Sequence, residues 1–310
     1  MSVELDLMKK MDFGNIFEWS FKLFKKHFLF LIKSISYFFI PGVIVLIVSV
    51  YFIFPQINEL FNTTFSFIQN QQIDNQFPFY TLSRIFKIYL LFLLAFLLYS
   101  LFMIGASASS IKALVVKINN KNDTEFDVAK FILKKYLPLL GTIIVAGSMC
   151  TIGFCFCFIP GIILMIYMIF IPQIVVLENK YFFKAIGRSF YLVNKNFWIV
   201  FLILLVFYFL YAIISGIISV PVYMIPYVKF IVKIIKMGGE LDPSVNFMKD
   251  FMKEFLVYYL IIMGMQIIFS IFYMITINNA LTLKFFNIRN LREGTQLLNE
   301  LDVQMKKNEA

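Results

Sequence analysis

An all-α, polytopic transmembrane helix bundle of about six spans is the fold this sequence predicts, and three observations predict it. The first is composition: of 310 residues, 61% are apolar and 15% charged, against about 45–50% and about 25% in soluble domains. Mean hydropathy is +0.84. A soluble domain of this length must still cover a large surface with polar groups. The composition therefore excludes a water-soluble enzyme, a disordered chain and a nucleic-acid-binding domain. The second observation is six apolar runs of spanning length, at 28–54, 86–111, 137–157, 160–177, 197–220 and 255–281. The third is charge asymmetry. With both termini inside, only Arg84, Lys87, Lys229, Lys233, Lys236, Lys249 and Lys253, seven of the 28 basic residues, lie outside. Basic residues gather on the cytoplasmic side and near anionic lipid. Both termini are thus expected in the cytoplasm, and the net charge of +10 reads as topology.

Taken in order, the chain opens with an amphipathic stretch at 12–28. Phe13, Ile16, Phe17, Phe21, Phe24 and Phe28 share one helical face, opposite Glu18, Lys22 and Lys25. Such a helix lies in the membrane interface. Because the first apolar run begins only near Phe28, no cleavable leader is expected. The Asn- and Gln-rich stretch 55–83 reads as a flexible outer loop. In the second span, Gly105-Ala106-Ser107-Ala108-Ser109-Ser110 offers small residues for close helix approach. Thr124 and Asp127 have capping-box spacing and open a second interfacial stretch at 124–137. Phe158-Ile159 alone joins the third and fourth spans, so a tight hairpin is expected, with Pro160-Gly161 opening the descending helix. A third interfacial stretch at 181–197 sets Phe183, Ile186, Phe190, Val193 and Phe197 against Lys184, Arg188, Tyr191 and Lys195. The 221–254 segment reads as outer amphipathic helices broken at Gly238-Gly239; the alternative is that 226–236 re-enters the membrane. Residues 1–284 form the membrane domain and 285–310 a cytoplasmic tail. Finally, Ser20-Phe21, Leu23, Lys26 and Phe28 recur as Ser189-Phe190, Leu192, Lys195 and Phe197, at an offset of 169.

The residues that could carry chemistry are few. Cys150, Cys155 and Cys157 have no metal-ligand spacing and read as small buried hydrophobes. His27, the single histidine, has no acidic or thiol companion at matched spacing and reads as interfacial. Gln266, Asn278 and Asn279 read as interhelical hydrogen-bonding residues. No catalytic, cofactor-binding or metal-binding residue is assigned, and no cofactor is expected. What remains is a charged set expected at one membrane depth: Glu178, Arg188, Arg289, Arg292 and Glu293. A carboxylate left unpaired near lipid is costly, while pairing with Arg gives strong bidentate hydrogen bonds. Glu178 is therefore expected to pair with Arg188 or with an Arg of the tail. These five are the candidates for a structural or partner-contact site.

Three stretches, 158–180, 185–201 and 285–298, resemble the glycerophosphoryl diester phosphodiesterase membrane-domain family and its stand-alone relatives. The matching positions are Pro160, Gly161, Pro172, Glu178, Arg188, Ser189, Phe197, Trp198, Arg289, Glu293 and Gly294. Asn287 and Phe190 depart from the family pattern, which usually has Asp and Trp there. In that family the enzymatic activity belongs to a separate barrel domain, so the resemblance implies a membrane domain without catalysis. The expectation is a non-catalytic protein of a bacterial cytoplasmic membrane. Its expected partners are membrane lipid, another protein or a second copy of itself, and no nucleic acid. The competing expectation is a transporter or permease component moving a small or amphipathic substrate.

Overall fold

In the lipid core no water is present to satisfy backbone N–H and C=O groups, so a spanning chain must close its hydrogen bonds within each segment. The computed structural model shows that outcome. It describes residues 11–69, 77–236 and 245–308, and among them there is no strand. Eight helices follow one another: α1 (Phe13–Gln69), α2 (Phe77–Ile118), α3 (Glu125–Phe156), α4 (Phe158–Tyr167), α5 (Ile171–Glu178), α6 (Phe182–Val193), α7 (Phe197–Lys236) and α8 (Val245–Asn308). Among the described residues, six helical stretches are long and apolar enough to cross a membrane. The chain is a multi-pass integral membrane protein.

Several elements differ from expectation, for physical reasons. The 55–83 stretch is not a loop over its described part, because α1 runs through Pro55 to Gln69 and α2 begins at Phe77. The Thr63 and Thr64 hydroxyls donate back to the carbonyls of Glu59 and Leu60, at 2.8 and 2.7 Å, which keeps these polar residues inside a helix. Likewise α7 passes through Pro221 and Pro226 to Lys236. The residues at 226–236 thus continue the helix of the fifth span and do not form a separate helix. Proline removes one backbone donor, and helices in membranes accommodate it. The Gly238-Gly239 break lies outside the described residues. Helix α3 starts at Glu125 and runs through Pro138 to Phe156, so 124–137 is its first part and no separate interfacial helix. The expected boundary at 285 is crossed by α8 without interruption.

The fourth span is broken. α4 has ten residues and α5 eight, separated at Met168–Phe170. The hairpin before it turns at Cys157, whose φ of −170° and ψ of 151° are extended. The Pro160-Gly161 pair therefore falls within the first turn of α4, as its third and fourth residues. Small residues let the hairpin close: a Cβ on Gly161 would lie 2.4 Å from the Phe154 ring, and one on Gly153 would lie 3.2 Å from the Gly161 Cα.

The chain divides into two compact units. One contains the chain up to Phe38, Ile104–Tyr208 and the chain from Tyr273; the other contains Phe39–Met103 and Phe209–Phe272. In the first, Leu31, Ile111, Leu114, Ile132, Phe170, Phe207 and Phe285 are fully buried. The small-residue run of α2 does pack closely there: Ala106, Ala108, Ser109 and Ser110 are buried, and a Cβ on Gly105 would lie 2.4 Å from the Phe38 ring. The second unit turns most of its large apolar side chains outward, Tyr51, Phe86, Phe96 and Ile217 among them, as a surface solvated by acyl chains does.

Two of the three stretches expected to be amphipathic bury only part of their apolar faces. In 13–27 the buried positions are Ile16, Ser20 and Leu23, while Phe21 is exposed. In α6 they are Ala185, Ile186, Ser189, Leu192 and Val193, and Phe183 is 73% exposed. Small and branched residues fit the packed side, and the bulky Phe side chains flank it. Cys155 and Cys157 are exposed and Cys150 half-buried, a correction to their expected burial. They sit at the end of α3 and in the turn, where the chain faces outward.

Candidate functional site

The α5–α6 connection is short, and Asn179 ends α5 in the left-handed conformation, φ 54°. That turn brings Glu178, the last residue of α5, beside Arg188, which lies midway along α6. Arg188 donates from Nη2 to Glu178 Oε1 and from Nε to Glu178 Oε2, each at 2.9 Å. This is the bidentate fork that a planar guanidinium makes with a carboxylate. Lys180 Nζ adds a third donor to Oε2 at 3.0 Å. The Glu178 side chain is 9% exposed and that of Arg188 15%, so water screens the pair little.

Helix α8 supplies the rest. Arg188 Nη2 also donates to Glu293 Oε1, and Glu293 Oε2 lies 3.9 Å from Arg289 Nε one turn earlier. Arg292 donates to the Tyr191 carbonyl. Its guanidinium lies 4.5 Å from the centre of the Tyr191 ring, a cation–π distance. Arg289 lies 4.8 Å from the Phe286 ring in the same manner. The five residues singled out in the sequence thus meet in one place, joining α5, α6 and α8. Chemically the arrangement is a clamp. Two carboxylates are shared among guanidinium and ammonium groups, leaving each acid engaged as an acceptor.

Around the clamp are contacts that sequence reasoning missed. Ser189 Oγ donates to the Tyr167 carbonyl at 2.6 Å, satisfying a backbone acceptor freed where α4 ends. Tyr167 stacks on Phe190, centroids 4.8 Å apart. Lys135 Nζ donates to the Val176 carbonyl at 3.0 Å and to Asn179 Oδ1, closing the C-terminal end of α5. Asn287, an amide where the family resemblance leads one to expect an acid, accepts from the Met11 N–H at 3.2 Å. The only sequence signals were a serine beside the matched Arg188 and an unusual amide at Asn287.

The other polar candidates tie helices together. Asn278 Nδ2 donates to Ser107 Oγ at 3.0 Å, and Asn279 Nδ2 to the Ser20 carbonyl at 3.4 Å. Within the second unit, Gln266 Nε2 donates to Ser219 Oγ at 3.2 Å. His27 sits at a kink in α1, with φ −117° and ψ 21°. Among the described residues no group of three His, Cys, Asp or Glu could hold a metal ion. No protein-family model matches the chain, and neither a curated protein nor a solved structure matches it.

Proposed function

We propose that this multi-pass membrane protein is non-catalytic and acts through lipid or a protein partner in a bacterial cytoplasmic membrane, with both termini in the cytoplasm. The observation that carries the reading is how the clamp uses its charges: Glu178 accepts from Arg188 and Lys180, and Arg188 reaches on to Glu293. A carboxylate fixed between two cations holds helices together and is a poor proton acceptor. The amides a transport route would need, Gln266 and Asn278, are engaged with serines, which favours this reading over a transporter. We further propose kinship with the stand-alone members of the glycerophosphoryl diester phosphodiesterase membrane-domain family. The support is that Glu178, Arg188 and Glu293, on which the resemblance rests, belong to one network.

The test is assay of pure protein with glycerophosphodiesters, beside identification of proteins and lipids that co-purify after mild extraction. The expected result is co-purifying material and no release of glycerol phosphate. Release that tracks the protein and disappears in Glu178→Ala overturns the proposal.

A further inference from the structure

We infer that the first unit holds an internal water site where α1, α2 and α8 meet, bound by Ser34, Ser109, Ser110, Asn279 and Thr282. The inference goes beyond the reading above and does not rest on it. All five residues are fully buried. The four hydroxyl oxygens and Asn279 Oδ1 have no hydrogen-bond partner among the described residues. A hydroxyl in a helix has a ready acceptor in the carbonyl one turn back. Ser49, Thr142 and Ser148 take it, donating to Val45, Pro138 and Ile144 at 2.7, 2.7 and 2.9 Å. The four hydroxyls here do not, so they are turned away from their own backbone. Asn279 spends its Nδ2 on the Ser20 carbonyl and keeps an unanswered acceptor. A buried polar group without a partner costs more than its hydrogen bond is worth, which favours one partner shared by all five.

The helix register gathers them. Lys117 lies over the Phe30 ring, and Gly105 meets Phe38, so α1 and α2 run antiparallel. Ser34, one turn before Phe38, then comes level with Ser109, one turn after Gly105. As second and sixth spans, α2 and α8 run the same way, and the Asn278–Ser107 bond fixes their register. Asn279 comes level with Ala108, and Thr282 with Ile111. The five residues thus occupy a slice about 4.5 Å deep, at about 1.5 Å per residue. Their directions agree, at about 100° per residue. Ser110 lies between Ser109, on the α1 side, and Ser107, on the α8 side. Thr282 lies between Asn278, on the α2 side, and Asn279, which reaches α1. Ala106 and Ala113, buried on the same side of α2 as Ser110, keep bulk out of the space.

The donor set selects water. A cation would use the lone pairs and leave four hydroxyl protons unanswered. The stretches 28–58, 77–118 and 255–292 contain no Asp or Glu to balance it, and Lys284, two residues past Thr282, is buried and basic. An anion would accept from the hydroxyls and leave Asn279 Oδ1 without a donor. Water both donates and accepts. At roughly three bonds for each molecule, five orphaned groups engage about two waters.

The experiment exposes the full-length protein in detergent to X-ray radiolysis, milliseconds after mixing into water enriched in heavy oxygen. Oxidised side chains are read by mass spectrometry. A trapped water marks its neighbours with light oxygen, whereas bulk water marks them with heavy oxygen. Phe38 and Leu31 are buried one turn to either side of Ser34. They should take up light oxygen at least about threefold above Phe207, which is buried against the rings of Phe17 and Phe21. Ser109→Ala/Ser110→Ala/Thr282→Val should lower that signal at least about threefold. Thr282→Val alone, which keeps the shape of the side chain, should lower it about twofold and serves if the triple variant does not fold. The thermal midpoint should be equal in sodium and N-methylglucamine chlorides at one ionic strength. A signal no greater than at Phe207, heavy oxygen at Phe38 and Leu31, or variants equal to the parent each overturn the site. A higher midpoint in sodium shows that a cation takes the oxygens and overturns the water assignment. None of these readouts involves lipid, partner or hydrolysis, so the proposed function and this site fail separately.

Discussion

At the scale of single residues, Glu178 and Arg188 decide most. Breaking a buried ion pair by removing one partner leaves the other charge uncompensated, which is strongly destabilising, at about 3–5 kcal/mol. Glu178→Arg should therefore lower the thermal midpoint in detergent sharply. Adding Arg188→Glu should restore part of the loss; no restoration means that the two are not coupled. Glu293 is 49% exposed, so Glu293→Gln should cost no more than about 1 kcal/mol. Ser189 is a second test at this scale. Its hydroxyl meets the Tyr167 carbonyl where α4 ends, and Ser189→Ala leaves a buried acceptor unsatisfied, at about 1–3 kcal/mol. A midpoint equal to that of the parent protein would show that another donor takes over.

At the scale of elements, breaks matter as much as helices. Thr124 accepts from the Asp127 N–H while Asp127 accepts from the Thr124 N–H, a complete capping box at the start of α3. Thr124→Ala should cost about 1 kcal/mol by denaturant titration. The hairpin between α3 and α4 offers a paired comparison. Gly161→Ala meets the Phe154 ring at 2.4 Å, whereas a Cβ at Gly187 meets nothing within 4 Å. The first should destabilise by about 1–3 kcal/mol; the second should stabilise α6 by up to about 1 kcal/mol. Equal effects would show that the hairpin is loosely closed. The repeat at an offset of 169 also acquires a structural meaning. Ser20 and Leu23 are buried, as are Ser189 and Leu192. The kink at His27 matches Asn196, the last residue of the short 3-10 turn Asn194–Asn196. Each copy is a helix, a break and then a long apolar helix.

At the scale of the molecule, the prediction concerns direction through the membrane. Two native cysteines, Cys155 and Cys157, are exposed, so labelling requires a background in which all three are replaced. In intact cells a membrane-impermeant thiol reagent should then modify Asn62→Cys and leave Asn120→Cys untouched until the cells are opened. Both positions are exposed, so accessibility of the side chain does not confuse the result. Labelling of Asn120→Cys from outside inverts the proposed orientation.

The sequence by itself determined that the chain crosses a membrane several times as helices, because apolar length and the need to satisfy backbone hydrogen bonds leave no other solution. It also made the capping box at Thr124 legible, since that device is local, and it picked out the charged set around Glu178, since carboxylates near lipid need partners. It did not show where helices stop. Pro55, Pro221 and the Asn-rich residues near 62 look like breakers by the rules for water-soluble chains, yet the helices pass through them. Tertiary structure alone decided which partner each charge takes, because Glu178 and Glu293 are 115 positions apart and meet only through Arg188. It decided the break at Met168–Phe170 as well: the carbonyl left there is answered by Ser189, 22 positions away. Local periodicity carries no information about contacts of that range, and those contacts make the site.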